Sequence, residues 1–204
     1  MEYTVTNGGE HNYMSPELPI LGEPLIPEFA NTLYSGEDVQ FDVFDRPSWA
    51  AAWLGSAPCA LQRAAPRRVT TNDLVRFRRL RDAIRVVLLG GRAHDRSAAI
   101  AVINQAARLA MPQRELVLLG GGQLAVKAES NASRVDIFLA SIAGQVFDAV
   151  DQGDLELIRV CSRPECNMFY FGNHHRRRYC NQRCANTDRQ ARYNQRLHKW
   201  PNTP

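Results

Sequence analysis

Four of the five cysteines fall into two pairs. Four residues separate Cys161 from Cys166, three separate Cys180 from Cys184, and thirteen lie between the pairs. Thiolates are soft ligands, and four of them close a tetrahedral zinc site with no position left for water. The chemistry expected is therefore structural binding of one Zn2+, not metal-assisted hydrolysis. His174 and His175 are surplus to that set. Two disulfides would use the same sulfurs, because about 45 residues this polar need some staple to fold. Residues Met1 to Glu23 lack the apolar stretch of a secretory signal, so the chain is expected in the reducing cytoplasm, where metal is favoured. The polar neighbours of the four cysteines argue against inert buried thiols. Cys59 has no companion at metal spacing and is read as a bland cysteine.

The segments around the pairs can position them. Met168 to Phe171 reads as a strand, Gly172-Asn173 as a turn and Arg176 to Tyr179 as the returning strand. From Cys180 to Pro201 the chain is compatible with a helix that carries the second pair at its start. Knuckle, hairpin and helix give a treble-clef-like ββα module. At about 100° per residue, Arg189, Arg192, Arg196 and Lys199 share an arc of roughly 80°, beside Tyr193, Leu197 and Trp200. Arg176, Arg177 and Arg178 form a second basic edge, and Arg183 lies between the second cysteine pair. Residues 159–204 hold ten Lys and Arg against two acids, whereas the rest of the chain carries a net −4. A basic module on a mildly acidic body points to a polyanion, DNA first, with phosphate contacts and some stacking. The competing reading pairs these cations with the acidic body or a protein partner. Asp42 with Asp45, and His94 with Asp95, have no accompanying nucleophile or base, so an enzyme is not expected.

Cys-x4-Cys, an aromatic strand, a basic stretch and Cys-x3-Cys opening an Arg-rich helix together resemble the CGNR zinc finger. The motif that names that family reads Cys184-Ala185-Asn186-Thr187 here. Cys184 and Asn186 match; Ala185 replaces the glycine and Thr187 the arginine, so that arginine's contact is not carried over. Upstream, Phe29-Ala30-Asn31-Thr32-Leu33, Trp49 to Leu54 and Leu80-Arg81-Asp82 resemble the ABATE domain that usually precedes such a finger. The resemblance implies a bacterial, stress-induced transcription regulator that binds DNA through the finger and senses a ligand through its body. Asn31, Trp53 and Arg81 would line the ligand cleft; on the residues alone, Asn31 and Thr32 brace a helix and Trp53 belongs to the core. The alternatives are a zinc-knuckle protein-interaction module and a small-molecule-binding protein without nucleic acid. A homodimer is compatible with all of these.

The remainder reads as a mainly helical α+β body with a small β-hairpin. A flexible arm is expected over 1–24, the ABATE-like body over 25–157 and the finger over 158–204. From Leu25 to Phe44 a helical turn or two and an extended piece are expected, and Asp45-Arg46-Pro47 opens a short helix. Thr70 and Asp73 are spaced as a capping box before a helix with Leu74, Phe77, Leu80 and Ile84 inward, ended by Gly90-Gly91. Its arginines, Arg76, Arg78, Arg79, Arg81 and Arg85, are expected on the solvated face. A helix over Ser97 to Met111, a hairpin around Gly120-Gly121-Gly122 and a long helix with Val135, Phe138, Leu139, Ile142 and Val146 inward complete the body. No apolar run approaches the twenty residues of a membrane span.

Overall fold

Thr70 and Asp73 form the expected capping box: the Thr70 N–H donates to Asp73 Oδ2 at 2.9 Å and the Asp73 N–H to Thr70 Oγ1 at 3.3 Å. From it the helix labelled α3 (Thr71–Leu88) runs until Gly90, whose φ of +66° suits a residue without Cβ. This computed structural model describes residues 18–35, 40–56, 65–111, 113–129 and 131–199. Ahead of α3 lie α1 (Leu25–Ala30), strands β1 (Leu33–Ser35) and β2 (Gln40–Asp42), a 3-10 turn at Val43–Asp45 and α2 (Pro47–Ser56). After it come α4 (Ala93–Arg108), β3 (Gln113–Leu118), β4 (Leu124–Glu129) and α5 (Arg134–Asp151). A 3-10 turn (Asp154–Leu157) leads into β5 (Ile158–Val160), β6 (Phe169–Phe171) and α6 (Gln182–Lys199). The strands make three antiparallel pairs, β1 with β2, β3 with β4 and β5 with β6.

The core is the seam between α3, α5 and the α1–α2 segment. Leu80, Ile84, Phe138 and Ile142 are buried in one cluster, as the two apolar stripes require. Phe29, Phe44, Trp53, Phe77 and Phe138 form its aromatic centre, with neighbouring ring centroids 5.2 to 6.5 Å apart. A second capping box, Ser133 with Asp136, starts α5. Arg76 of α3 reaches the same Asp136 and ties the two helix starts together.

Several expectations are corrected. Arg81 and Arg85 are not on a solvated face; they are among the most buried polar side chains. Arg81 pairs with Asp42 and Asp82 and lies over the Phe44 ring. Arg85 donates to the carbonyls of Ala30 and Leu33 at 2.8 and 3.0 Å. Both escape the penalty of an unpaired buried cation through these partners. The second helix begins at Ala93, four residues early, where Arg92 and Asp95 meet across its first turn. The extended piece expected between Leu25 and Phe44 is two short strands, β1 and β2, paired as an antiparallel hairpin. The arm expected over 1–24 is held at its inner end: Glu28 Oε1 accepts from the N–H groups of Leu21 and Glu23 at 2.9 and 2.7 Å. Residues 1–17 and Cys59 lie outside the described residues. No described helix is long and apolar enough to cross a membrane.

Candidate metal centre

The first cysteine pair is set by the β5–β6 hairpin. Cys161 follows β5, and its N–H donates to Met168 O at 2.9 Å, while the Cys166 N–H donates to Arg163 O at 3.0 Å in the knuckle turn between the strands. The second pair is set by the start of α6, where Asn181 Oδ1 accepts from the Cys184 N–H at 2.9 Å. That side chain is the helix N-cap, and it fixes Cys184 one turn along from Cys180. The expected return strand over Arg176 to Tyr179 does not form. β6 pairs with β5 instead, and the 176–179 segment is an irregular loop whose Arg178 carbonyl accepts from the Ser162 N–H at 2.8 Å. Gly172 permits this compact entry: an added Cβ would lie 3.1 Å from the Leu157 carbonyl oxygen.

The four sulfurs lie within 4.8 Å of one another, with Cys166 to Cys180 at 3.7 Å and Cys180 to Cys184 at 3.6 Å. A tetrahedron with zinc–sulfur bonds of about 2.3 Å has edges of about 3.8 Å. A disulfide needs about 2.05 Å, so the sulfurs stand at metal spacing and all four thiols are free. Hydrogen bonds from Cys166 and then Cys180 hold the Cys161 thiol far below its ordinary value, and the Cys180 N–H points at the same sulfur. The Cys166 thiol, hydrogen-bonded to Cys161, is pushed up to about 12, and Cys180 is raised for the same reason. Crowded thiols ionise one at a time, and a cation is what brings all four to the thiolate form.

A family model described as "Putative stress-induced transcription regulator" (ABATE) matches residues 23–153, and the CGNR zinc finger model matches 158–197. The first alone covers more than half of the sequence. The chain belongs to the ABATE family. No curated protein matches it. In this ABATE protein Cys161, Cys166, Cys180 and Cys184 form a site for one zinc ion, which would supply a structural cross-link between the hairpin and α6. The two departures from the motif fall inside α6. Ala185 donates its N–H to Asn181 O at 3.2 Å in helical backbone, where alanine is the better helix former. Asn186 accepts from Gln182 Nε2 at 3.0 Å on the exposed side, and Thr187 is half-buried.

The basic residues divide into two groups. Arg176, Arg178, Arg183, Arg189 and Arg196 are exposed and make no ion pair among the described residues. Tyr193 and Leu197 are exposed beside them. Arg192 pairs with Asp188 at 2.8 Å, and Asp188 also accepts from Tyr179 Oη. Arg177 turns inward, where it meets Glu23, lies over the Tyr170 ring and donates to Cys180 O at 2.7 Å. It braces the loop. Lys199 stands on the last turn of α6, and its side chain lies outside the described residues.

The finger is docked on the body, as the absence of a linker before Cys161 suggests. Phe169 and Phe171 turn backbone groups away from β5, and side chains take the place of a third strand. Asn31 Nδ2 donates to Phe169 O at 2.9 Å, the Phe169 N–H donates to Asn31 Oδ1 at 2.7 Å, and the Phe171 N–H donates to Glu23 Oε2 at 2.9 Å. Arg85 lies over the Phe169 ring at 5.0 Å. Of the three residues expected to line a cleft, Asn31 is this interdomain brace and Trp53 is fully buried in the core. Arg81 is committed to Asp42 and Asp82. None of them lines the described cavities, of which the one beside the cysteines measures about 350 Å3. Sequence reasoning missed Glu23, Arg85 and Asn181. Asn181 alone had a local signal, an Asn three residues before the second Cys of its pair.

Proposed function

We propose that this ABATE protein is a transcription regulator that binds DNA through its zinc finger and performs no catalysis. The observation carrying this reading is the exposed stretch of α6, whose residues 189–197 are all open to solvent. Among the described residues Arg183, Arg189 and Arg196 make no ion pair; they stand on a helix whose start is pinned at the metal site, with Tyr193 and Leu197 beside them. Arg176 and Arg178 extend the same positive sign along the loop. Fixed cations at helical spacing meet successive phosphates without a large ordering cost. Four thiolates leave no open coordination position, which favours a structural ion over a catalytic one. The chain is taken to act in the cytoplasm, where free thiols persist. Ligand sensing draws no support from Asn31, Trp53 or Arg81.

Fluorescence anisotropy with a random-sequence duplex, measured against salt, tests this. With three to four phosphate contacts the slope of log affinity against log salt is about −3 to −4, and Arg189→Ala reduces its magnitude by about one. Arg192→Ala has a smaller effect, because Asp188 already holds that cation. If the zinc-loaded protein binds duplex no better than the Arg183, Arg189 and Arg196 triple alanine variant at low salt, the protein-interaction reading replaces this one.

A further inference from the structure

Hairpin β3–β4 breaks the usual alternation. An antiparallel ribbon with one wet face turns its apolar residues inward and its polar ones outward. Here the register sets Leu116 opposite Val126 and Leu118 opposite Leu124, so these four side chains form one block on one face. That face is the outer one: all four are 56 to 71 % exposed, whereas Val117 and Ala125 on the other face are half-buried. Leu119 at the turn is exposed as well. None of these residues belongs to the body's core cluster, and among the described residues nothing covers them. A lone two-stranded hairpin is marginal in water, and a contiguous apolar face on it is normally covered.

We infer that this face is a homodimer interface, with the same hairpin of a second copy packed against it across a two-fold axis. The block carries no charge, which disfavours nucleic acid and leaves no cation within it to draw in an anionic membrane surface. Leu116, Leu118, Leu124 and Val126 are all aliphatic, so the face meets its own copy across a two-fold axis with no like charges opposed and no polar group left unpaired, as an isologous contact requires. The area fits a second copy. Four aliphatic side chains exposed to this degree offer roughly 110 Å2 each, so two copies remove about 900 Å2 from water, close to the lower bound for a specific interface and suited to a weak, reversible dimer. This proposal is independent of DNA binding, although a two-fold axis would present two copies of α6.

The test uses the full zinc-loaded chain. Sedimentation at about 50 µM is expected to give twice the 23.0 kDa chain mass. Leu116→Thr with Val126→Thr keeps β-forming residues on the hairpin and should weaken association by roughly tenfold or more, with zinc content and far-UV dichroism unchanged. A measurement on the unaltered chain stands beside the variant: amide-exchange protection of residues 113–129 should fall on dilution together with the dimer. A wild-type monomer at the highest concentration overturns the inference. So does a dimer whose affinity and hairpin protection ignore the substitutions and dilution. A monomer that cosediments with phosphatidylcholine vesicles overturns it in favour of a lipid surface.

Discussion

Replacing Asn31 by alanine removes the side chain that pairs with both backbone polar groups of Phe169. Asn31 and Phe169 are both fully buried, so no solvent reaches the groups left behind. Asn31→Ala orphans one N–H donor and one C=O acceptor at once, lost from hydrogen bonds of 2.7 and 2.9 Å. An unsatisfied buried group costs about 1–3 kcal/mol, which puts the total at about 4 kcal/mol. That is a large fraction of the 5–15 kcal/mol that holds a typical domain together. At about 2–4 °C per kcal/mol for a chain of this size, the melting temperature should fall by about 8–16 °C. Asn31→Asp should be no milder, since it keeps the acceptor but loses the donor and buries a carboxylate. The assay is urea denaturation of the zinc-loaded protein by far-UV dichroism, with zinc release to a chromophoric chelator in parallel. Release should accelerate, because a hairpin freed from the body holds Cys161 and Cys166 less firmly. A loss below about 1 kcal/mol with unchanged zinc release would refute the bracing role.

Cys184→Ser should lower the zinc content from one per chain to near zero and remove the helical signal of α6, read by elemental analysis and dichroism. Phe138→Ala should cost about 3–5 kcal/mol in the same urea assay, since its ring packs against Phe29 and Phe77 in the fully buried centre. Burial raises the Asp136 carboxyl, but hydrogen bonds from the Ser133 side chain, Arg76 and the Ser133 backbone outweigh it and leave the group lowered. Stability from this carboxylate is therefore present above its ordinary value of 3.8 and is lost as pH falls through the lower folded value. Asp136→Asn should flatten that acid limb in melting temperatures taken from pH 6 downward, and an unchanged limb would count against the assignment.

The sequence by itself determined the metal centre, the family and the helical frame, because each is written in short-range spacing. Two cysteine pairs, with a strand between them and a helix starting within the second, can reach one ion whatever the body does. The Thr70–Asp73 box, the stripe from Leu74 to Ile84 and the glycines at 90 and 91 announce α3 within one stretch of 22 residues, from cap to stop. Tertiary structure decided what the polar residues do. Arg81 and Arg85 share a helix with exposed Arg79, and only the position of Asp42 and of the Ala30 and Leu33 carbonyls separates buried braces from a solvated cation. Arg177 sits between Arg176 and Arg178 in an unbroken basic run, yet Glu23, 154 positions earlier, turns it inward. Asn31 meets Phe169 across 138 positions. Periodicity reports which face a residue lies on, but a hydrogen-bonding partner that distant in the chain leaves no local pattern. The hairpin shows the same limit from the other side: alternation predicts two faces, and only the packed body reveals that the more apolar one points outward.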